Sequence, residues 1–379
     1  MKEAYLNTFA RIIGKGILAS LVLALGACAV APPQHHRATP VVVFPPPPAK
    51  ARFVFERALR ASSDVVKETS ASRFRQWATG AERVSQAFAK PFDVVAEDGR
   101  VYVSDTVRRS VMVFDIRRKR FFQIGTKSPG KLVMPLGLAL DGQGNLYVCD
   151  GTAKRIVVYN KNGKYLRAIG GPKFFHRPSG VAVNRAGTRV FVVDTGGVYS
   201  QQHRVCVFNA RTGKHLFDFG KRGTAPGEFN LPGAIAIGPK GLLYVVDDGN
   251  FRVEVFRQDG TFVRTFGAIG RRSGQFSRPK GITVDAAGHV YVVDSNFGNA
   301  QIFTSHGRLL MAIGARGLQG GPGQYMLPEG IYVDKKGFVY IVDQFFRKVD
   351  IYRPAGLVEK TGRTVEHSAP QGGPQAAKP

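Results

Sequence analysis

The sequence predicts an all-β fold, a six-bladed β-propeller closed into one ring, and three observations carry that prediction. One phrase recurs six times between Pro91 and Arg353: a proline with a short apolar run, a Gly-containing turn, then a strand ending in Asp. Those strand endings read VYVSD (101–105), LYVCD (146–150), VFVVD (190–194), LYVVD (243–247), VYVVD (290–294) and VYIVD (339–343). Successive Asp residues lie 45, 44, 53, 47 and 49 positions apart, the period of a blade built from several short strands. The composition agrees: 44% of the 379 residues are hydrophobic, with 45 Gly and 22 Pro, as a β-rich core with many turns requires.

From the N-terminus, Lys2, Arg11 and Lys15 precede an apolar stretch of 12 residues, GILASLVLALGA (16–27). That length is too short to span a bilayer and suits a signal-peptide core. It ends in LGAC (25–28), which resembles the bacterial lipobox. The resemblance implies a lipoprotein signal peptide over 1–27 and acylation of Cys28; an ordinary secretory signal or an uncleaved anchor is the alternative. Ala29 follows, where Asp would signal inner-membrane retention, so the resemblance points to the outer membrane, facing periplasm or surface. Residues 28–50 read as a Pro-rich tether stiffened by four prolines at 45–48. An N-terminal extension (51–72) holds a strand candidate at 52–60, the propeller takes 73–354, and 355–379 reads as a disordered tail.

Ring closure is legible in the strand endings. Third strands end at Phe114, Tyr159, Phe208, Phe256, Phe303 and Tyr352, and fourth strands at Gly125, Gly170, Gly220, Gly267 and Gly314. The sixth unit lacks a fourth strand, because Arg353-Pro354 interrupts it. An N-terminal strand is therefore expected to complete the last blade and remove the free sheet edges. RFRQWAT (73–79), which resembles TFVRTFG (261–267), is the expected closing strand, with Trp77 in the blade's outer region; 52–60 is the alternative. An apolar residue stands three before each unit's first Pro: Phe88, Leu132, Phe175, Phe229, Phe276 and Tyr325.

The fourth unit carries a family resemblance: PGAIAI (232–237), then LYVVD (243–247), then Gly249-Asn250-Phe251-Arg252-Val253. It resembles the NHL-repeat family of six-bladed propellers, over about three-quarters of the chain. The resemblance implies a binding platform, and some relatives are lyases. Elsewhere the Asn-x-Arg step degrades to Arg108-Arg109-Ser110, Ala153-Lys154-Arg155 and Asn299-Ala300-Gln301, which weakens any transfer of residue roles.

The six strand-end Asp residues form a ring that suggests a metal site, but each precedes a turn, where a carboxylate accepts backbone N–H bonds. Function is expected where the units differ. The third unit carries an insertion, 195–204, with Tyr199, Gln201, Gln202 and His203 as candidate ligand contacts; a tolerated surface loop is the alternative. At the channel mouth, the residue after each Pro varies: Phe92, Leu136, Ser179, Gly233, Lys280 and Glu329. Ser179, Lys280 and Glu329 are candidates to hold a polar ligand, or Lys280 and Glu329 to pair with each other.

Charge is the third candidate. The chain holds 54 Lys and Arg against 27 Asp and Glu. Inter-blade linkers and second-to-third-strand hairpins share one face, with eighteen bases and two acids, against sixteen and seven in the opposite loops. The basic candidates are Arg108, Arg109, Lys154, Arg155, Lys173, Arg177, Lys221, Arg222, Arg271, Arg272, Arg347 and Lys348. A generic high-pI chain is the alternative. Such a field attracts anions, chiefly at low salt.

Enzyme signatures are missing: no Gly-x-Ser-x-Gly, no phosphate loop and no His-Glu-x-x-His. His176, His203, His215, His289 and His306 show no ligand spacing, so neither metal nor cofactor is expected. Cys149 and Cys206 read as buried free thiols, with a disulfide between adjacent units as the alternative. The reading is a non-enzymatic, lipid-anchored envelope scaffold, monomeric, binding an acidic protein segment, polysaccharide or lipid headgroup. Nucleic acid is set aside because an exported chain rarely meets it. The alternative is a lyase or lactonase at the channel mouth.

Overall fold

Residues that fill both faces of a sheet are needed wherever sheets stack face to face, and the middle strands here are of that kind. The computed structural model describes residues 41–66, 74, 77–79 and 85–357. The expected signal segment, Cys28 and the tail beyond 357 lie outside them. Five antiparallel sheets of four strands and one of five form six blades around a central channel. Blade 1 runs Pro91–Glu97, Arg100–Asp105, Ser110–Asp115 and Arg120–Ile124, and blades 2 to 5 repeat that order from Pro135, Pro178, Pro232 and Pro279. The second strands, such as Leu146–Asp150 and Val290–Asp294, are buried at every residue, whereas the outermost ones alternate, as in His215–Phe219. Each buried Val, Leu or Phe contributes about 1.5–3 kcal/mol relative to exposure.

The linker aromatics sit where the repeat places them. Phe88, Leu132, Phe175, Phe229, Phe276 and Tyr325 are all buried. Five of them press on the glycine ending the preceding blade: Gly125, Gly170, Gly220, Gly267 and Gly314 have φ between +80° and +85°. A Cβ on any of these would collide with the side chain behind it, so the glycine supplies both the left-handed turn and the space.

The six strand-end Asp residues are buried and grip backbone. Asp294 accepts from Ser277 and Arg278 of the linker (2.7 and 3.0 Å) and from Asn296 and Phe297 of the hairpin (3.0 and 3.1 Å). Asp105, Asp150, Asp194 and Asp343 likewise take both linker N–H groups before their blade's proline. The capping expected from sequence is thus extended: Asp105, Asp150, Asp294 and Asp343 each clamp the entry of their blade to backbone N–H groups of its hairpin. Blades 4 to 6 add a second clamp, in which Glu254, Gln301 and Asp350 accept the linker N–H groups of Gly227, Gly274 and Gly323.

An N-terminal strand closes the ring, but not the expected one. Phe53–Leu59 pairs antiparallel with Lys348–Pro354, from Phe53 opposite Pro354 to Leu59 opposite Val349. Phe53 packs with Tyr291 and Tyr352, and Leu59 with Phe88 and Val349, so the strand feeds the cores on both sides. The closing strand is therefore not RFRQWAT: Phe74 and 77–79 are helical, Trp77 is 81% exposed, and residues 73, 75 and 76 lie outside the described residues. The likeness of 73–79 to 261–267 is one of outline, whereas 53–59 supplies Phe53, Val54 and Leu59 to the buried cores on either side. Arg60 stands where other blades put the terminal glycine, its C=O accepting the Phe88 N–H at 3.0 Å. Its guanidinium bonds the carbonyls of Phe346 and Gly320. Part of the expected tether also joins the fold, since Val43–Phe44 adds a fifth strand along Phe53–Leu59. Phe44 meets Tyr352 edge-on at 5.7 Å.

Cys149 and Cys206 are buried and free. Among the described residues no helix is long and apolar enough to cross a membrane.

Candidate functional site

Two surfaces break the six-fold repeat, the channel and the linker face. The innermost strands of all six blades line a cavity of about 740 Å³, which includes Phe92, Leu136, Ser179, Gly233, Lys280 and Glu329. The second residue after each proline is Gly137, Gly180, Ala234, Gly281 or Gly330, and neighbouring strands approach backbone to backbone there. A Cβ on Gly137 would lie 2.9 Å from the Ser179 oxygen, and one on Gly330 2.6 Å from the Asp93 Cα.

Blade 1 puts Asp93 at this position. Its carboxylate crosses the seam to blade 2, accepting the Leu138 N–H at 2.8 Å, and also takes the Val94 N–H at 2.8 Å. Ser104 completes the seam, donating to the Leu136 carbonyl at 2.7 Å and accepting the Asp93 N–H at 3.0 Å. Loss of solvent outweighs both N–H bonds and pushes the Asp93 carboxyl up to about 7, with the Glu329 carboxylate adding to the rise. Burial also raises Glu329, against the pull of Lys280. Sequence reading missed Asp93, although it is the single acid at a position otherwise held by Gly or Ala.

The predicted mouth residues divide. Lys280 pairs with Asp248 at 2.5 Å rather than with Glu329. Ser179 donates to the Gly233 carbonyl at 2.7 Å and meets Thr195 Oγ1 at 2.6 Å, which ties blade 3 to blade 4. Glu329 faces the channel. Among the described residues no cluster of three or more His, Cys, Asp or Glu is placed to hold a metal.

The insertion loop also divides. Tyr199, Gln201 and Gln202 are exposed. His203 is buried and structural: Nδ1 accepts the Leu231 N–H at 3.2 Å, leaving Nε2 to donate to the Gly197 carbonyl at 3.0 Å. It cannot meet a ligand, because its ring fixes the loop to the next linker.

On the linker face, Arg109, Lys173, Arg177, Arg271, Arg272 and Arg347 are exposed and make no ion pair among the described residues. Lys154 is half-exposed, Lys173 lies over the Phe174 ring at 4.9 Å, and Arg108 is exposed while donating to the Ala87 carbonyl. Arg222 reaches the Ser200 carbonyl at 3.3 Å, and Lys221 pairs with Glu228 at 3.1 Å. Two candidates are corrected. Lys348 is fully buried, paired with Asp350 at 2.7 Å and over the Tyr325 ring. Arg155 folds inward to Asp150 (3.8 Å) and the Lys131 carbonyl (2.8 Å). The formal asymmetry also shrinks. The six strand-end carboxylates lie beneath this face and take it from about +16 to about +10, against about +9 opposite. The faces differ instead in what reaches solvent. The blade loops on this side carry two further acids, Glu228 and Asp248, and both are paired to lysines.

A family model described as a 6-bladed beta-propeller matches residues 285–357. No curated protein matches the sequence. Among solved structures the chain is similar to a streptogramin B lyase, at 15% identity and TM-score 0.52 over 70% of this chain and 94% of that one. It is similar to virginiamycin B lyase from Staphylococcus aureus at 13% identity and TM-score 0.51, over 70% and 95%. It is also similar to a gluconolactonase from Xanthomonas campestris, at 17% identity and TM-score 0.52, over 79% and 98%. At such identities the likeness speaks for the fold alone. The observed ring, the matched model and these structures together identify the chain as a six-bladed β-propeller.

Proposed function

We propose that the protein is a non-enzymatic binding scaffold whose linker face takes an anionic partner, held in the cell envelope by a lipid on Cys28. One observation carries this reading. Cations from several blades stand in solvent on that face without acidic partners among the described residues, while the half-buried Glu228 and Asp248 are paired to lysines. Binding by such cations is salt-sensitive. The test is titration of the protein with soluble poly-glutamate at rising salt, beside the charge-reversed Arg271→Glu/Arg272→Glu variant. Salt-sensitive binding that the variant weakens supports the scaffold; binding indifferent to both sinks it. The lipid is tested separately, by metabolic incorporation of a palmitate analogue that Cys28→Ser abolishes.

A second reading places lyase or lactonase chemistry at the channel mouth. It is favoured by the Asp93 and Glu329 carboxyls, both held above their ordinary range within one cavity. Turnover of a lactone or cyclic ester that Glu329→Gln abolishes would establish it.

A further inference from the structure

We propose that the linker face docks on an anionic lipid bilayer, with its apolar loop tips entering the headgroup region. This rests on the anionic-partner reading above and names a lipid surface as that partner.

The first support is where exposed apolar side chains lie. Val107, Val198, Tyr199, Ile269, Leu318 and Phe345 all protrude from linkers or hairpins of this one face; Tyr199 is 95% and Leu318 82% exposed. Among the described residues, the hairpins of the opposite face carry none; nearest to them are Leu166, Leu216 and Leu310, 40–43% exposed, in the outermost strands that follow those hairpins. The formal charges of the two faces are nearly equal, so this one-sidedness is independent of the charge count. Large exposed apolar side chains gathered on one surface mark a contact surface.

The second support is interleaving. Val107 is two residues from Arg109, Ile269 two from Arg271, Leu318 two from Arg316, and Phe345 two from Arg347. The Val198–Tyr199 tip is braced by Arg222 through the Ser200 carbonyl. Alternating apolar tips and bases match an anionic interface, where apolar groups reach the acyl boundary while cations stay among phosphates.

The third support is distribution. The tips come from blades 1, 3 and 6 and from the linkers before blades 5 and 6, so they ring the face instead of lining a groove. A short acidic segment would engage a few neighbouring bases and leave most tips in water. A polysaccharide offers nothing apolar for Leu318 or Tyr199. A bilayer is broad enough to meet tips from five loops at once.

The experiment uses the full chain with vesicles of phosphatidylcholine alone or doped with phosphatidylglycerol, read by co-sedimentation. The apolar N-terminal segment contributes the same background to every variant. Doped vesicles are expected to bind at least about tenfold more tightly at low salt, since each base near such a surface contributes roughly a fivefold gain. The uncharged changes Val198→Ser/Tyr199→Ser and Leu318→Ser should each lose about tenfold on doped vesicles and leave poly-glutamate binding unchanged. Equal binding to both vesicle types, or apolar variants that bind like wild type, overturns the membrane proposal while the scaffold reading stands. The scaffold reading falls on its own test, when poly-glutamate binding ignores salt and the Arg271→Glu/Arg272→Glu change. A depth probe gives a second measure: with Trp77→Phe, Tyr199→Trp should show blue-shifted emission on doped vesicles, and an unshifted spectrum overturns the proposal.

Discussion

Truncating Leu59 and Trp77 in turn distinguishes the strand that closes the ring from the segment that resembles one. Leu59 is fully buried and packs with Val65, Phe88, Val349 and Ile351 where blade 6 meets blade 1. Leu59→Ala deletes buried methylenes and leaves a cavity at a seam that cannot collapse without shifting both blades, a loss of about 2–5 kcal/mol. For a domain of this size each kcal/mol lowers Tm by about 2–4 °C, so the expected fall is roughly 4–20 °C. Trp77, 81% exposed, should behave as a surface residue, within about 0.5 kcal/mol of wild type. The assay is thermal unfolding followed by circular dichroism, the two variants beside wild type. A Trp77→Ala protein as destabilised as Leu59→Ala, or a Leu59→Ala protein melting with wild type, would refute the assignment of Phe53–Leu59 as the closing strand.

Three further outcomes are expected. Asp294→Ala should cost at least about 3 kcal/mol, read from denaturant midpoints, because four backbone N–H groups lose their acceptor; Asp294→Asn should recover part of it. Asp93 titrates near 7 in the folded chain and near its ordinary value when unfolded. The folded state therefore binds more protons between those values, and the stability this confers is present at acid pH and lost as pH rises through about 7. Asp93→Asn should raise Tm more at pH about 8 than at about 5, and a pH-independent difference would contradict the burial of that carboxyl. Cys149 and Cys206 should resist maleimide, by peptide mapping, until denaturant is added, since both thiols are enclosed and burial raises both pKa values.

The blades were legible because the repeat is itself the physics. Proline entry, aromatic plug and strand-end Asp each perform a local task that every blade needs, so six copies reinforce one reading. Closure was less legible because it happens once. Arg60 replaces the terminal glycine that marks fourth strands elsewhere, and RFRQWAT matches better by outline although its Phe74 and Trp77 are exposed. At the candidate site, ring position was readable but pairing was not: Lys280 chose Asp248 over Glu329, and His203 and Lys348 turned inward. Lys280 and His203 meet partners about thirty residues away along the chain, while Lys348 turns in to Asp350, two residues on. Asp93 was readable in principle, as the acid where five units hold Gly or Ala. Its signal is masked by the position directly after each proline, where all six units differ.

The pairing of Phe53–Leu59 with Lys348–Pro354 has a consequence for biogenesis. The earliest-made edge of the last sheet must wait unpartnered while nearly three hundred residues emerge, so assembly cannot finish during synthesis. A product truncated before residue 348 would keep an open gap between its first and last sheets and a ladder of unsatisfied amides along it. Completing the molecule therefore doubles as an inspection of its length: only a chain that extends through residue 354 can hide both ends of the gap from proteases and from other unfinished copies.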